Sequence, residues 1–182
     1  MELADRAAIT DTVTRFGWCL DRRDWDGLAA LFTDVVHTDY TALWGGEPQE
    51  AGVDALLATD KQGSWRRTMD GLEATQHLIT NILVDVTGDT ATATANVVGV
   101  HRLTNPHGSP LWTVGGTYEF RFERRAEEEG GTGSGGTATG GATNGGAGER
   151  DAASWRIRAI KQDITWVEGN QQVLFRAAMR AA

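Results

Sequence analysis

The sequence contains a single cysteine, Cys19, in 182 residues. An internal disulfide and any multi-cysteine metal site are therefore excluded. The neighbours Trp18 and Leu20 point to a buried thiol, with a reactive nucleophile as the alternative. Long apolar runs are also missing. No stretch approaches the roughly 18 residues of a membrane span, so no membrane partner is expected. Cationic residues are outnumbered, 17 Lys and Arg against 25 Asp and Glu, giving a formal net charge of -8. Nucleic acid needs clustered Lys and Arg for its phosphates and is disfavoured as a partner. The opening Met-Glu-Leu-Ala-Asp-Arg is charged and lacks the apolar core of a secretory leader, so the expectation is a cytoplasmic protein.

Hydrophobic residues make up 40% of the chain, as in a globular protein. The length fits one domain, 1–182. Seven tryptophans are many for this size. Indole packs cores, and it also makes a good wall for a flat, apolar ligand. Residues 126–150 stand apart. Their glycine-rich tract cannot bury enough apolar surface to order itself and reads as a flexible hairpin loop. It lacks the G-x-x-x-x-G-K-[ST] pattern and the strand-loop-helix setting of a phosphate loop.

Along the chain, Leu3, Ala7, Ile9, Val13, Phe16, Trp18 and Leu20 recur at helical spacing over 3–21. Asp24 reads as the N-cap of a second short helix carrying Trp25, Leu28, Leu31 and Phe32. A strand is predicted from Val35 to Leu43, ended by Gly45, Gly46 and Pro48. A third helix is predicted over 50–62, then a loop with room for one helical turn over 63–71. Four long strands follow at 73–87, 90–104, 110–125 and 153–167. Gly88-Asp89 turns the first hairpin, and Asn105-Pro106-His107-Gly108 turns the second. Residues 170–180 form a last helix that either closes a pocket or sits at a subunit contact. Helices segregated from a mostly antiparallel sheet make the fold class α+β.

Chemistry-bearing residues cluster in this scheme. Asp21 ends the first helix, where a carboxylate meets the negative end of the helix dipole and needs compensation. Either it caps or pairs with Arg22 and Arg23, or it is a buried carboxylate that orients a histidine. His77 and His101 lie on adjacent strands. A hairpin centred on Gly88-Asp89 sets His77 near 100 and His101 near 76, at one end of the ladder. The two project to the same face if the register or a bulge allows it. They are either packed residues or an acid–base pair. A set of two histidines and one carboxylate also suits non-haem iron, but no compact His-x-Asp or His-x-x-x-His phrase is present, and no metal is expected. Strand alternation turns either Asp39 or Tyr40 inward. Phe16, Trp18, Trp44 and Trp112 are either pocket walls or plain core. His37 and His107 are read as surface residues.

Several phrases carry a family resemblance. FGWCLDRRDWDGLAALFTDVVHTDY resembles the opening of SnoaL-like, or NTF2-like, proteins, and ATQHLITNILVDV resembles their first long strand, with a histidine near its start and an asparagine, Asn81, four residues on. The likeness covers about 1–125 and 153–170. It implies a cone in which a curved, mostly antiparallel sheet packs on N-terminal helices around a pocket. Within the superfamily the pattern is similar to that of scytalone dehydratase. That likeness implies a catalytic set of Asp21, Tyr40, His77 and His101, with Phe16, Trp18, Trp44, Asn81 and Trp112 around the substrate. Leu20 departs from it, because the family has a tyrosine just before the aspartate. Phe16 likewise stands where steroid isomerases of this fold have a tyrosine. The implied activity is a cofactor-independent dehydratase or cyclase acting on a small, apolar, polyketide-like carbonyl compound. The alternative is a non-catalytic small-molecule binder or accessory subunit. A homodimer or small homo-oligomer is expected, since Trp155 or Trp166, if turned outward, needs cover.

Overall fold

The computed structural model describes residues 2–61, 64–104, 108–125 and 155–180. The glycine-rich tract and His107 lie outside the described residues. Helix α1 spans Glu2–Arg22 and α2 spans Trp25–Ala29, with the Asp24 side chain accepting from the Gly27 backbone N–H as the expected N-cap. Strand β1 runs Phe32–Asp39, earlier than predicted, so Phe32 belongs to the sheet and not to the second helix. The strand also stops short of Leu43. The Asp39 carboxylate accepts from the Thr41 backbone N–H and hydroxyl, and this turns the chain into a single helical turn, α3, at Thr41–Trp44.

The helix predicted over 50–62 is mostly absent. Residues Gln49–Gly52 form β2, antiparallel to β1, and only Val53–Leu56 are helical, as α4. Backbone pairing with the edge of β1 draws residues 50–52 out of the predicted helix. Helix α5, Trp65–Asp70, occupies the segment read as a loop. Ser64 caps it by accepting from the Arg67 N–H. The strands β3 (Ala74–Thr87), β4 (Thr90–Arg102), β5 (Leu111–Arg124) and β6 (Trp155–Gly169) follow, then helix α6, Gln172–Arg180.

The six strands form one curved, unclosed sheet in the order β2-β1-β6-β5-β4-β3. It is mixed, because β1 pairs with β6 in parallel while the other pairings are antiparallel. Helix α1 lies against β3 and the inner face of the sheet. Its residues Ile9, Val13, Phe16 and Leu20 are buried at spacings of four, three and four, which is one helical stripe. Phe16 meets Phe32, Tyr118 and Phe120 edge to face, a favoured ring geometry. Asp5 anchors the start of the helix by accepting from Arg124 at 2.8 Å and from the Trp155 indole at 3.1 Å.

A second apolar cluster, built from Leu72, Leu103, Trp112, Val114, Val173, Leu174 and Ala177, seats α6 on the open end of the sheet. Gly71 permits this approach: a Cβ there would fall on the Ala177 backbone. Of the two tryptophans on β6, Trp155 is buried, and Trp166 is half-exposed on the other face, its ring lying over Gly115. No described helix is long and apolar enough to cross a membrane.

Candidate active site

The site begins with a register shift. Near the turn, Thr87 pairs with Thr90 and Leu83 with Thr94. Beyond Thr80 the pairing slips by one, so His77 faces Gly99 and Thr75 faces His101. The extra residue sits at Asn81, whose φ of 55° is in the left-handed region that asparagine tolerates better than most residues. An unbroken ladder would have put His77 opposite Val100 and on the other face from His101. The bulge turns both rings inward, with centroids 5.4 Å apart and planes at 86°.

Helix α1 delivers Asp21 to His77. The carboxylate Oδ1 lies 2.7 Å from His77 Nδ1 and accepts the Thr75 hydroxyl at 2.9 Å, while Oδ2 accepts the His77 backbone N–H at 2.8 Å. Burial pushes the Asp21 carboxyl up. The hydrogen bonds from His77 and Thr75 and the attraction of the imidazole outweigh this and hold it below the usual carboxylate range. An ionised carboxylate only accepts, so Nδ1 carries the proton and the other ring nitrogen, Nε2, is the basic one.

The two neighbouring arginines serve other ends. Arg23, itself left-handed at φ 56°, donates to the backbone carbonyls of Asp21, Met69 and Leu72 and to the Thr75 hydroxyl. It ties the end of α1 to α5 and β3 and leaves the carboxylate to the histidine. The Arg22 guanidinium covers the Trp18 ring at 4.3 Å.

His101 is 4% exposed, and its Nδ1 has no hydrogen-bond partner among the described residues. Burial depresses the imidazole pKa to about 3, and neighbouring His77 adds to this. The Trp112 backbone and Asp21 oppose it. His101 is therefore neutral over the physiological range.

The two histidines open onto a small pocket with a cavity volume of about 70 Å³. It lies at the junction of the two core clusters, with Phe16, Leu20, Leu43, Trp44, Trp65, Met69, Val114 and Leu174 supplying apolar wall. Leu174 makes α6 part of the enclosure. Tyr40 and Tyr118 also line the pocket. Burial drives both phenols well above their ordinary value, so they stay protonated donors.

Of the residues singled out in the sequence, Asp21, Tyr40, His77, His101, Phe16 and Trp44 meet at or beside this pocket. Trp18 does not. It is two positions from Phe16, about 200° round the helix, and is 55% exposed on a surface groove with Arg15, Cys19, Arg22 and Asp24. Asn81 is exposed too, because the bulge it makes carries its side chain out of the ladder. Trp112 is fully buried behind the pocket, tilted against His101 at 5.2 Å, and backs that ring instead of touching the cavity. Cys19 is buried with its thiol raised by burial, so it has the character of a packed residue and not of a nucleophile. His37 is exposed, as expected. Among the described residues no three His, Cys, Asp or Glu side chains gather as a metal would need.

Tyr118, Gln162, Trp65 and Met69 are pocket residues that the sequence reading missed. A signal existed for two of them. Tyr118 shares the inward parity of Phe120 and Phe122, and Gln162 is a polar residue at a buried position of a strand whose other buried residues are apolar.

A family model for the SnoaL-like domain matches residues 1–161. The chain belongs to the SnoaL-like family. Three solved structures illustrate what this SnoaL-like chain is similar to. The Kfla4162 protein of Kribbella flavida superposes with a TM-score of 0.75 at 22% identity, over 96% of this chain and 99% of that one. A candidate scytalone dehydratase of Novosphingobium aromaticivorans gives 0.62 at 19%, over 92% and 88%. A hexachlorocyclohexane dehydrochlorinase of Novosphingobium barchaimii gives 0.62 at 17%, over 93% and 92%. At these identities the likeness establishes the shared NTF2-like cone. No curated protein sequence matches the chain.

Proposed function

We propose that this SnoaL-like protein is an acid–base lyase that dehydrates a small, largely apolar carbonyl compound. The observation that carries the reading is the 2.7 Å contact between Asp21 and His77 at the wall of an apolar pocket. Neutral His77, held by Asp21, removes a proton from the carbon next to a ketone through Nε2. The carbonyl oxygen then gains charge and accepts from the hydroxyls of the Tyr40–Tyr118 pair. His77, now protonated, returns the proton to a hydroxyl on the next carbon. The C–O bond breaks, the double bond forms and water leaves.

Each positioned acid or base contributes roughly 100- to 10,000-fold, and preorganised donors in a dry pocket add to this. The residues alone supply every proton the scheme moves. Two similar structures, the candidate scytalone dehydratase and the dehydrochlorinase, are described as enzymes of elimination chemistry, which supports the reading. The second tyrosine offsets the departure at Leu20. A hydroxyl absent from helix α1 is provided by Tyr118 from the sheet.

The first half of the reaction can be tested without the natural substrate. 1-Tetralone, a flat two-ring ketone, is incubated with the protein in deuterated buffer, and exchange at the carbon beside the carbonyl is followed by proton NMR. Exchange at least about 100-fold above buffer, lost in His77→Ala, is the expected result. Binding of the ketone with exchange at the buffer rate would make the protein a binder and not an enzyme.

A further inference from the structure

Two arginines follow Asp21 directly in the sequence, yet among the described residues its carboxylate has one ionic partner, His77. Arg22 lies over the exposed Trp18 ring. Arg23 stays close. Its guanidinium donates to the Asp21 main-chain carbonyl at 3.0 Å and still does not pair with the side chain. A guanidinium and a carboxylate within reach of each other normally pair, because charge-assisted hydrogen bonds are about twice as strong as neutral ones. Their separation here has a cause in the fold.

The cause is Thr75. Its hydroxyl donates to Asp21 Oδ1 at 2.9 Å, and its oxygen accepts from Arg23 Nη1 at 3.3 Å, so it stands between the two charges. A hydroxyl has one proton to give; here the anion takes it and the cation uses a lone pair. The Met69 and Leu72 carbonyls accept from Nη2 at 2.8 and 3.3 Å and hold the guanidinium in place. Strand parity sets the hydroxyl there, because Thr75 lies two residues before His77 on β3 and shares its face. Valine would suit the same strand position by shape, but it would leave Oδ1 and Nη1 with no group between them. Direct pairing would then draw the carboxylate off the ring, since Oδ1 is the atom that holds His77 Nδ1.

We propose that Thr75 is a positioning residue whose hydroxyl keeps Arg23 from capturing Asp21, so that the carboxylate serves His77 alone. Among the described residues that form the cavity wall, neither Thr75 nor Arg23 is present. The role is therefore exercised through Asp21 and not on the ligand. The cation still has a use. Through the hydroxyl it polarises the chain Arg23–Thr75–Asp21–His77 in one direction, each bond reinforcing the next, without neutralising the carboxylate. For the step that the dyad performs, this role rests on the proposed lyase reading. The geometry of the dyad is measured without turnover.

Thr75→Val removes the hydroxyl and keeps the shape. The first readout is the pair of ring nitrogen chemical shifts of His77, followed through its carbon-bound protons by NMR of the full chain. Wild type and Thr75→Ser should show the proton fixed on Nδ1, and Thr75→Val should show the averaged shifts of exchanging tautomers. Taking the cation away as well, in Thr75→Val/Arg23→Met, should return the proton to Nδ1. The second readout is α-proton exchange of 1-tetralone at saturating ketone. It should fall about tenfold or more in Thr75→Val, the worth of a hydrogen bond to a charged group, and recover in Thr75→Ser. The dissociation constant of the ketone should change less than about threefold. A purely structural threonine predicts the opposite order, with the double variant worse than Thr75→Val and melting temperature and rate falling together. That result would overturn the proposal, as would a proton that stays fixed on Nδ1 in Thr75→Val. If the wild type exchanges no proton, the lyase reading fails and the nitrogen shifts alone decide the role of Thr75.

Discussion

Asp21 grips His77 twice, once at the ring through Oδ1 and once at the backbone N–H through Oδ2. One carboxylate thus fixes both the tautomer of the imidazole and the position of the strand that bears it. Asp21→Asn preserves the shape, and the amide oxygen still accepts the backbone N–H. It removes the charge that favours the protonated ring during turnover. Exchange of the 1-tetralone α-proton should fall by about 100-fold or more, with ligand affinity changed less than about threefold. Exchange within a few-fold of wild type in that variant would remove Asp21 from the mechanism.

The buried, neutral His101 makes stability depend on pH. Its folded value is about 3, whereas an exposed histidine titrates near 6.5. Between these values the unfolded chain binds one more proton than the folded chain, so stability rises with pH and is lost on acidification. The slope should approach about 1.4 kcal/mol per pH unit below pH 6. Asp21, whose carboxyl is depressed, works in the same direction. Its contribution is present above the ordinary aspartate value near 3.9 and is lost only below it. Urea unfolding at pH 7, 6, 5 and 4 should therefore show a steep loss that flattens in His101→Gln. An equal slope in the variant would mean that His101 is protonated in the folded state.

Asn81 holds a left-handed backbone in the middle of a strand. Glycine adopts this conformation freely, and a β-branched residue resists it by about 1–2 kcal/mol. Asn81→Gly should keep both fold and proton exchange, while Asn81→Val should lower stability by about that amount in denaturant titration. Equal stability of the two variants would show that the bulge is not held by this residue's conformation.

The sequence disclosed the order of the long elements and the pairing of two histidines on one hairpin, and left open which of them Asp21 holds. These rest on strong local signals: the helical stripe Ile9, Val13, Phe16 and Leu20, the turn at Gly88-Asp89, and the quoted family phrases. The short elements between 40 and 70 were misread because long-range contacts decide them. Gln49–Gly52 is a strand only because β1 offers it an edge. The family likeness implies Trp18 at the substrate, whereas its angle round the helix, about 200° from Phe16, turns it to the surface. Tyr118 and Gln162 were passed over for a different reason. Their function comes from the register between β5 and β6, and no single segment of sequence carries that register.

The bulge also makes the site a matter of parity. Between the turn and His77 the ladder has consumed one unpaired residue, and that odd count decides which face the ring sees. A change of one residue in this stretch would leave β3 a strand, with its hydrogen bonds largely intact, yet turn His77 away from the cavity and from His101. A change of two would return it. Length variants of this hairpin should therefore alternate between working and silent proteins of similar shape, a rule that backbone superposition at low resolution would miss.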